Sequence, residues 1–278
     1  GKIVDTPPMN EFLRYKQDEP KPIIKTVLDF SIQEGILQLT EKCSGSGDCR
    51  KTHVSGGTMC PSYMATRSER DSTRARANML RHFYTQSNFE SAAKNEFEEV
   101  KNILDLCLSC KGCKSECPSS VDVGKMKAEF TQQYHDRFGV PMRSKLVGSF
   151  TRQMKLASAV PGIYNFIFGT AFLRRIINNA TGFHPKRTMP LLHKTTLRKW
   201  YNKNQKSGFR SQKPETFNKK VYLFCDEFTH YNDVEAGQKL ILLLEKLGYN
   251  VIIPEHLESG RTYLSKGLVK EAQKIAVK

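Results

Sequence analysis

The chemistry-bearing residues of this sequence are its cysteines. Cys107, Cys110, Cys113 and Cys117 follow one another as C-x2-C-x2-C-x3-C, and Pro118 comes directly after. Thiolates at this spacing wrap three sulfurs and several backbone N–H groups around one cubane iron–sulfur cluster, while the fourth cysteine serves a second cluster. Pro118 is expected in the first turn of the next helix, where a missing N–H costs nothing. Zinc is the rival metal, although zinc sites generally use two ligand pairs with a longer gap between them. Cysteines two residues apart in a tight turn pair poorly with each other. Secreted disulfide scaffolds are usually short and follow a signal segment, whereas this 278-residue chain opens Gly1-Lys-Ile-Val-Asp. A reducing compartment with thiolate-bound metal is the expectation. A first residue other than Met leads to the expectation of a piece of something longer or a processed product.

A second cluster requires a second motif. Cys43-Ser-Gly-Ser46-Gly-Asp-Cys49-Arg50 reads as C-x2-S-x2-C, with Ser46 where a cysteine would stand, and its closing Cys60-Pro61 is delayed by a loop containing Gly56 and Gly57. Crossing the fourth ligands gives one complete set, Cys107, Cys110, Cys113 and Cys60. The other set is Cys43, Cys49 and Cys117, one thiolate short. The first fits a 4Fe-4S cluster. The second fits either a 3Fe-4S cluster or a 4Fe-4S cluster with a non-cysteine ligand. Ser46 is either that ligand or a turn residue between Gly45 and Gly47. The eighth cysteine, Cys225, lies in a strand pattern and reads as a buried structural thiol.

The elements that must position these residues are mostly helical. At 278 residues the chain is long enough for about two domains. Hydrophobic residues at 38% and charged residues at 26% support a modest core rather than disorder. Ile36 to Lys42 reads as a short helix entering the first motif, after a short strand Val27 to Ile32. Ser68 to Phe83 has helical character with Ala75, Met79 and Leu80 inward. Ala92 to Leu108 is amphipathic, with Phe97, Val100, Ile103 and Leu104 on one face. Ser120 to Phe138 is the helix after the second motif, with Asp122 in its first turn. Leu156 to Leu173 is uncharged, but Pro161, Gly162 and Gly169 interrupt it, so a bilayer span is not expected. It reads as a helix pair packed on its own protein or as an interfacial segment. Pro185 to Lys220 is strongly basic and reads as a solvated linker. Near the end, strands Lys220 to Cys225 and Tyr249 to Ile253 flank a helix Asp233 to Leu247, and Leu264 to Ala276 is a final helix. A β-α-β unit implies parallel strands, yet two strands make an incomplete sheet. No glycine-rich phosphate loop follows the first strand, so no nucleotide site is expected.

Several motifs carry a resemblance. Cys43-Ser-Gly-Ser-Gly-Asp-Cys49-Arg50, Gly57-Thr-Met-Cys60-Pro-Ser-Tyr63, Thr66-Arg67, Ser72-Thr-Arg74-Ala-Arg76-Ala-Asn78 and the Cys107–Cys117 run resemble the C-terminal iron–sulfur half of FAD-linked oxidases. These are large FAD-binding oxidoreductases related to D-lactate dehydrogenase and glycolate oxidase, with a 4Fe-4S ferredoxin module. The resemblance implies a flavin domain ahead of this chain, a ferredoxin-type module within it, and a cysteine-rich domain of heterodisulfide-reductase type at its end. The implied fold is mainly α: an α-helical ferredoxin-type two-cluster module, a basic helical linker and an incomplete α/β segment. The implied division is 1–35 as a lead-in from the missing flavin domain, 36–138 as the iron–sulfur domain, 139–218 as the linker region and 219–278 as the partial α/β domain. The family's Cys-Cys-Gly element would align with Glu258-Ser259-Gly260, so a third cluster is not carried over. FAD and the 2-hydroxy-acid site belong to the missing domain, and no catalytic residue is assigned in this chain, whose seven histidines look unclustered.

The function expected is electron transfer from a flavin dehydrogenase domain or subunit, through two iron–sulfur clusters, to a quinone or carrier protein. The alternative is a non-redox interaction module with structural zinc or cluster sites. The net charge of +16 raises the question of an anionic partner. No nucleic-acid-binding module accompanies the basic segment, so nucleic acid is not expected; anionic lipid or an acidic subunit is. The expected location is cytoplasmic, with peripheral contact at the inner membrane face.

Overall fold

The computed structural model describes residues 4–12, 21–86, 89–206 and 219–278. The described chain is mostly helical and divides into two compact units, Gly1–Glu129 and Phe130–Lys278.

In the first unit, apolar residues at helical spacing build one core. The helices Ile36–Glu41, Thr73–Thr85 and Lys94–Asp105 bury Ile36, Leu37, Leu80, Phe83, Phe97, Val100 and Leu104. Phe83 meets Phe97 edge-on at 4.8 Å between ring centroids, an arrangement that adds to simple area burial. The Thr73–Thr85 helix starts later than its pattern suggests because Ser72 caps it, accepting the Ala75 N–H at 3.1 Å. Asp122 does the same for the helix Val123–Phe138, accepting the Lys125 N–H at 2.9 Å just ahead of the first turn. Two expectations fail here. Val27 to Ile32 forms no strand. The Val27 and Leu28 N–H groups instead donate to the two carboxylate oxygens of Glu129, each at 2.9 Å. Pro118 opens no helix: Cys117 and Ser120 close a turn, N–H to carbonyl at 2.8 Å. The Cys-Pro signal holds at Pro61, the first residue of the helix Pro61–Thr66.

In the second unit, strands β1 (Lys219–Tyr222) and β2 (Tyr249–Ile252) pair in parallel, with Val221 opposite Val251. The helix Val234–Lys246 crosses between them, and Gly248 ends the crossover with φ 83°. Leu197, Cys225, Val234, Ile241 and Val251 form the core, with Trp200 and Tyr201 packed against it. The segment read as a solvated linker is therefore partly structural: Leu197 heads the helix Leu197–Lys206 and is fully buried. The remainder of that segment, 207–218, lies outside the described residues. Gly237 admits the Leu197 side chain, which would stand 2.5 Å from a Cβ there. The expected last helix is split into Arg261–Leu264 and Val269–Ala276. Gly267 breaks it with φ 65°, in close approach to Thr131.

The uncharged stretch forms two helices, Pro161–Gly169 and Ala171–Thr181. They pack on each other less completely than a buried pair would. Ile163 is 61% exposed, Phe166 68% and Phe172 71%. Among the described residues no helix is long and apolar enough to cross a membrane.

Removing the Glu129 carboxylate leaves two N–H groups without their acceptor. Glu129→Ala should destabilise the first unit by roughly 1–3 kcal/mol. Denaturant titration should register that loss, with amide exchange at Val27 and Leu28 accelerating most. Unchanged exchange at those two amides would contradict the assignment.

A four-cysteine cavity and its second motif

Cys60, Cys107, Cys110 and Cys113 line one small cavity of about 20 Å³, together with Ser62, Thr73 and Arg76 among others. Local backbone conformation brings them there. Ser109 and Lys111 adopt left-handed φ of 54° and 61°, which turns the chain twice between Cys107 and Cys113. Cys60 itself has φ 62° as the residue before the Pro61–Thr66 helix. Non-glycine residues in this region are uncommon and concentrate at functional sites. The Ser109 N–H donates to Cys107 Sγ at 3.4 Å. Lys127 Nζ donates to the Cys107 carbonyl at 2.7 Å, and Lys111 pairs with Asp122 at 3.0 Å.

The loop carrying Cys60 is distant in sequence from the Cys107–Cys117 run, and Glu116 holds the two together. Its carboxylate accepts the Thr58 N–H at 2.7 Å, the Thr58 hydroxyl at 2.5 Å and the Met59 N–H at 3.0 Å. A Cβ on Gly57 would sit 2.6 Å from that carboxylate, and one on Gly112 would sit 3.1 Å from Thr58 Oγ1. Both glycines permit the close approach. The Thr58 hydroxyl, followed by the Thr58 and Met59 N–H groups, holds the Glu116 carboxyl below its ordinary pKa.

Arg76 is the charged residue that the sequence alone does not place. It is 2% exposed. Its Nη1 donates to Ser62 Oγ at 2.8 Å and lies 3.7 Å from Cys60 Sγ, while Nε donates to the Ile103 carbonyl at 3.1 Å. Its nearest counter-charge is Asp71 at 3.9 Å. The Thr73 hydroxyl adds a further donor to Cys60 Sγ at 3.5 Å. The one available signal is phase: Arg76 shares the inward face of its helix with Ala77, Leu80 and Phe83. Burial pushes the Cys113 thiol up to about 11, against the opposing Val123 and Gly124 N–H groups.

The second motif is placed beside the first. Cys43 and Cys49 are buried and Cys117 is half-buried. Burial raises the Cys49 pKa; the Arg74 N–H opposes this, and Cys60 and Cys43 raise it further. Ser44 and Ser119 share a hydroxyl–hydroxyl hydrogen bond of 3.1 Å, joining the two motifs next to Cys43 and Cys117. Ser46 is exposed, between Gly45 with φ 78° and Gly47 with φ 83°. Among the described residues no three His, Cys, Asp or Glu close on a single ion-sized centre. The donor chemistry suits a cluster: four cysteines on one cavity, N–H and hydroxyl donors to sulfur, and a buried guanidinium beside them.

The class of protein follows from comparison with known families. Residues 42–122, which span both motifs, match the 4Fe-4S dicluster domain. The wider chain is similar to D-2-hydroxyglutarate dehydrogenases: 24% identical to that of Pseudomonas putida over 90% of this chain and 28% of the relative. It is likewise 24% identical to that of Escherichia coli, over 85% of this chain and 26% of the relative. The chain thus spans about a quarter of the length of these curated relatives. The match to an iron–sulfur dicluster domain and the similarity to part of these dehydrogenases agree with the resemblance that the motifs carry. No solved structure matches significantly.

The clamp at Glu116 has a pH signature. Its depressed pKa means that the carboxylate stabilises the fold fully above about 4.5, and that this contribution is lost as pH falls through the lowered value. Glu116→Ala should accelerate exchange at the Thr58 and Met59 amides at neutral pH and remove that acid transition. Hydrogen exchange followed by mass spectrometry reads both; protection that survives the substitution would refute the clamp.

Proposed function

We propose that this chain is the electron-transfer part of an FAD-linked 2-hydroxy-acid dehydrogenase. Cys107, Cys110, Cys113 and Cys60 would hold a 4Fe-4S cluster. Cys43, Cys49 and Cys117 would hold a second, either 3Fe-4S or 4Fe-4S with a non-cysteine fourth ligand, for which Ser46 is the candidate within the motif. The observation that carries the reading is the common cavity lined by Cys60 and the three cysteines of the distant motif. Bound clusters would supply one-electron steps between a flavin that takes electron pairs and a quinone or carrier protein. The chain's own residues supply the setting. N–H and hydroxyl donors to sulfur, and the buried Arg76 guanidinium, offset thiolate charge and set the potential. The left-handed turns at Ser109 and Lys111 let backbone amides face the sulfurs. Flavin and substrate belong to the part of the protein that the relatives have and this chain does not span; 2-hydroxyglutarate, D-lactate and glycolate are its candidate substrates. Structural zinc in the same cysteines is the rival.

The full-length protein, purified without oxygen, should contain iron and acid-labile sulfide and show a broad visible band that dithionite bleaches. Cys60→Ser should remove the signal of one cluster. Ser46→Cys should convert the other toward a conventional four-iron EPR spectrum. Colourless protein with stoichiometric zinc would rule the proposal out, and an EPR spectrum unmoved by Ser46→Cys would rule out the ligand assignment.

A peripheral contact with an anionic bilayer is a second part of this reading. Exposed Ile163, Phe166 and Phe172 lie between Arg152 and Lys155 on one side and Arg174 and Arg175 on the other, and no Asp or Glu occurs from Arg137 to Pro214. Exposed apolar side chains flanked along the chain by cations suit the headgroup boundary of an acidic membrane. Vesicles rich in phosphatidylglycerol should sediment the protein at low salt, and the double variant Phe166→Glu, Phe172→Glu should remain in the supernatant. Equal sedimentation of both would discard the contact.

A further inference from the structure

The second unit contains a cavity that the iron–sulfur reading does not use. Its volume is about 270 Å³, against the ~10–15 Å³ that admits one water. Cys225 and His256, on its wall, follow the carboxyl ends of β1 and β2. Ligands of parallel α/β sheets bind at that edge. Cys225 is buried, as its strand pattern predicts; the histidines, which look unclustered in the sequence, include two, His230 and His256, that share this wall with it.

Hydrogen bonds orient one histidine and burial governs the other. His256 stacks on Phe224 at 4.1 Å, and its Nε2 accepts the Cys225 N–H at 3.1 Å. Its proton is therefore on Nδ1, which donates to the Leu257 carbonyl at 2.7 Å. Burial, aided by the Arg198 charge, brings the His230 pKa down to about 4. Burial also pushes the Cys225 thiol up to about 11. Cys225 Sγ and His230 Nδ1 lie 3.6 Å apart, so the thiol and the imidazole share a hydrogen bond on this wall.

The rest of the wall is unmatched. Lys155 and Arg198 have no carboxylate partner among the described residues; Arg198 gives only Nη2, to the Pro254 carbonyl at 2.8 Å. Thr151 Oγ1 and Glu258 Oε2 are buried and have no hydrogen-bond partner. Folded proteins pair their buried polar atoms, so such exceptions mark the place of a water or ligand. Glu227, by contrast, is committed: it accepts the Ser259 hydroxyl at 2.8 Å and pairs with Arg261 at 3.4 Å. Two free cations call for an anion. A free carboxylate on the same wall calls for a hydrogen-bond donor. One small molecule satisfies both when it carries a carboxylate and a hydroxyl.

We propose that this cavity binds a small hydroxycarboxylic acid, with its carboxylate on Arg198 and Lys155 and its hydroxyl donating to Glu258. The site lies wholly within the second unit and does not depend on the clusters. Calorimetric titration of the full-length protein with malate tests it. Succinate, which lacks the hydroxyl, and inorganic phosphate, an anion without a carboxylate, serve as comparison probes. Malate should bind tightest. Lys155→Met, which breaks no other contact shown, should weaken malate by about tenfold, the loss of one charge-assisted bond. Arg198→Met should weaken it at least as much. Glu258→Gln should erase the preference for malate over succinate. Malate heats that are absent, no stronger than those of phosphate, or unchanged in all three variants would overturn the proposal; in the last case the acid binds elsewhere. Stoichiometric zinc that disappears in Cys225→Ser would overturn it as well.

Discussion

The carboxylate of Glu116, one residue before Cys117, binds three donors on the loop that delivers Cys60. Closing a loop between residues more than forty positions apart costs chain entropy, and the interaction that closes this one stands beside the cysteines it serves. Arg76, which reaches both Ser62 and the Ile103 carbonyl, adds a second link between the two segments. With these links, four sulfurs from two distant motifs line one cavity. The absence of side chains at Gly57 and Gly112 matters for the same reason, since both positions lie against this contact. Backbone twisted into left-handed turns at Cys60, Ser109 and Lys111 is conformationally costly, and it persists because surrounding contacts over-determine it.

Electrostatics shapes both units in different ways. In the first, burial raises the Cys49 and Cys113 pKa values, which favours the protonated thiols. Metal loading of such a site releases protons and contributes to folding. Arg76 puts a positive charge beside Cys60, where burial strengthens its electrostatic influence. In the second unit the long acid-free span places cations on the surface of two apolar helices and around a polar cavity. The high net charge of the chain is thus concentrated rather than spread.

Local signals were legible where the chain's own periodicity or spacing decides the outcome. The helices around Leu80, Phe97 and Phe130 follow apolar periodicity, and the parallel β1–β2 pair follows from the β-α-β pattern. Failures cluster where a distant partner intervenes. Val27 to Ile32 reads as a short strand, but a strand needs a neighbour, and the Glu129 carboxylate takes the Val27 and Leu28 N–H donors. The basic segment read as solvated because charge dominates its composition, yet Leu197 finds a site opened by Gly237. The helix expected over Leu264 to Ala276 is interrupted at Gly267, which lies against Thr131.

Sequence alone determined the chemistry of the cysteine run, because ligand spacing within a tight loop is a local property of the covalent chain. It also determined the helical character and the sign of the charge. Tertiary structure decided which sulfurs meet, that a guanidinium is buried beside Cys60, and that a thiol and two histidines from separate strand ends share one wall. Those facts depend on contacts between residues far apart in the chain, where no periodicity reaches and only the packed backbone sets the distance.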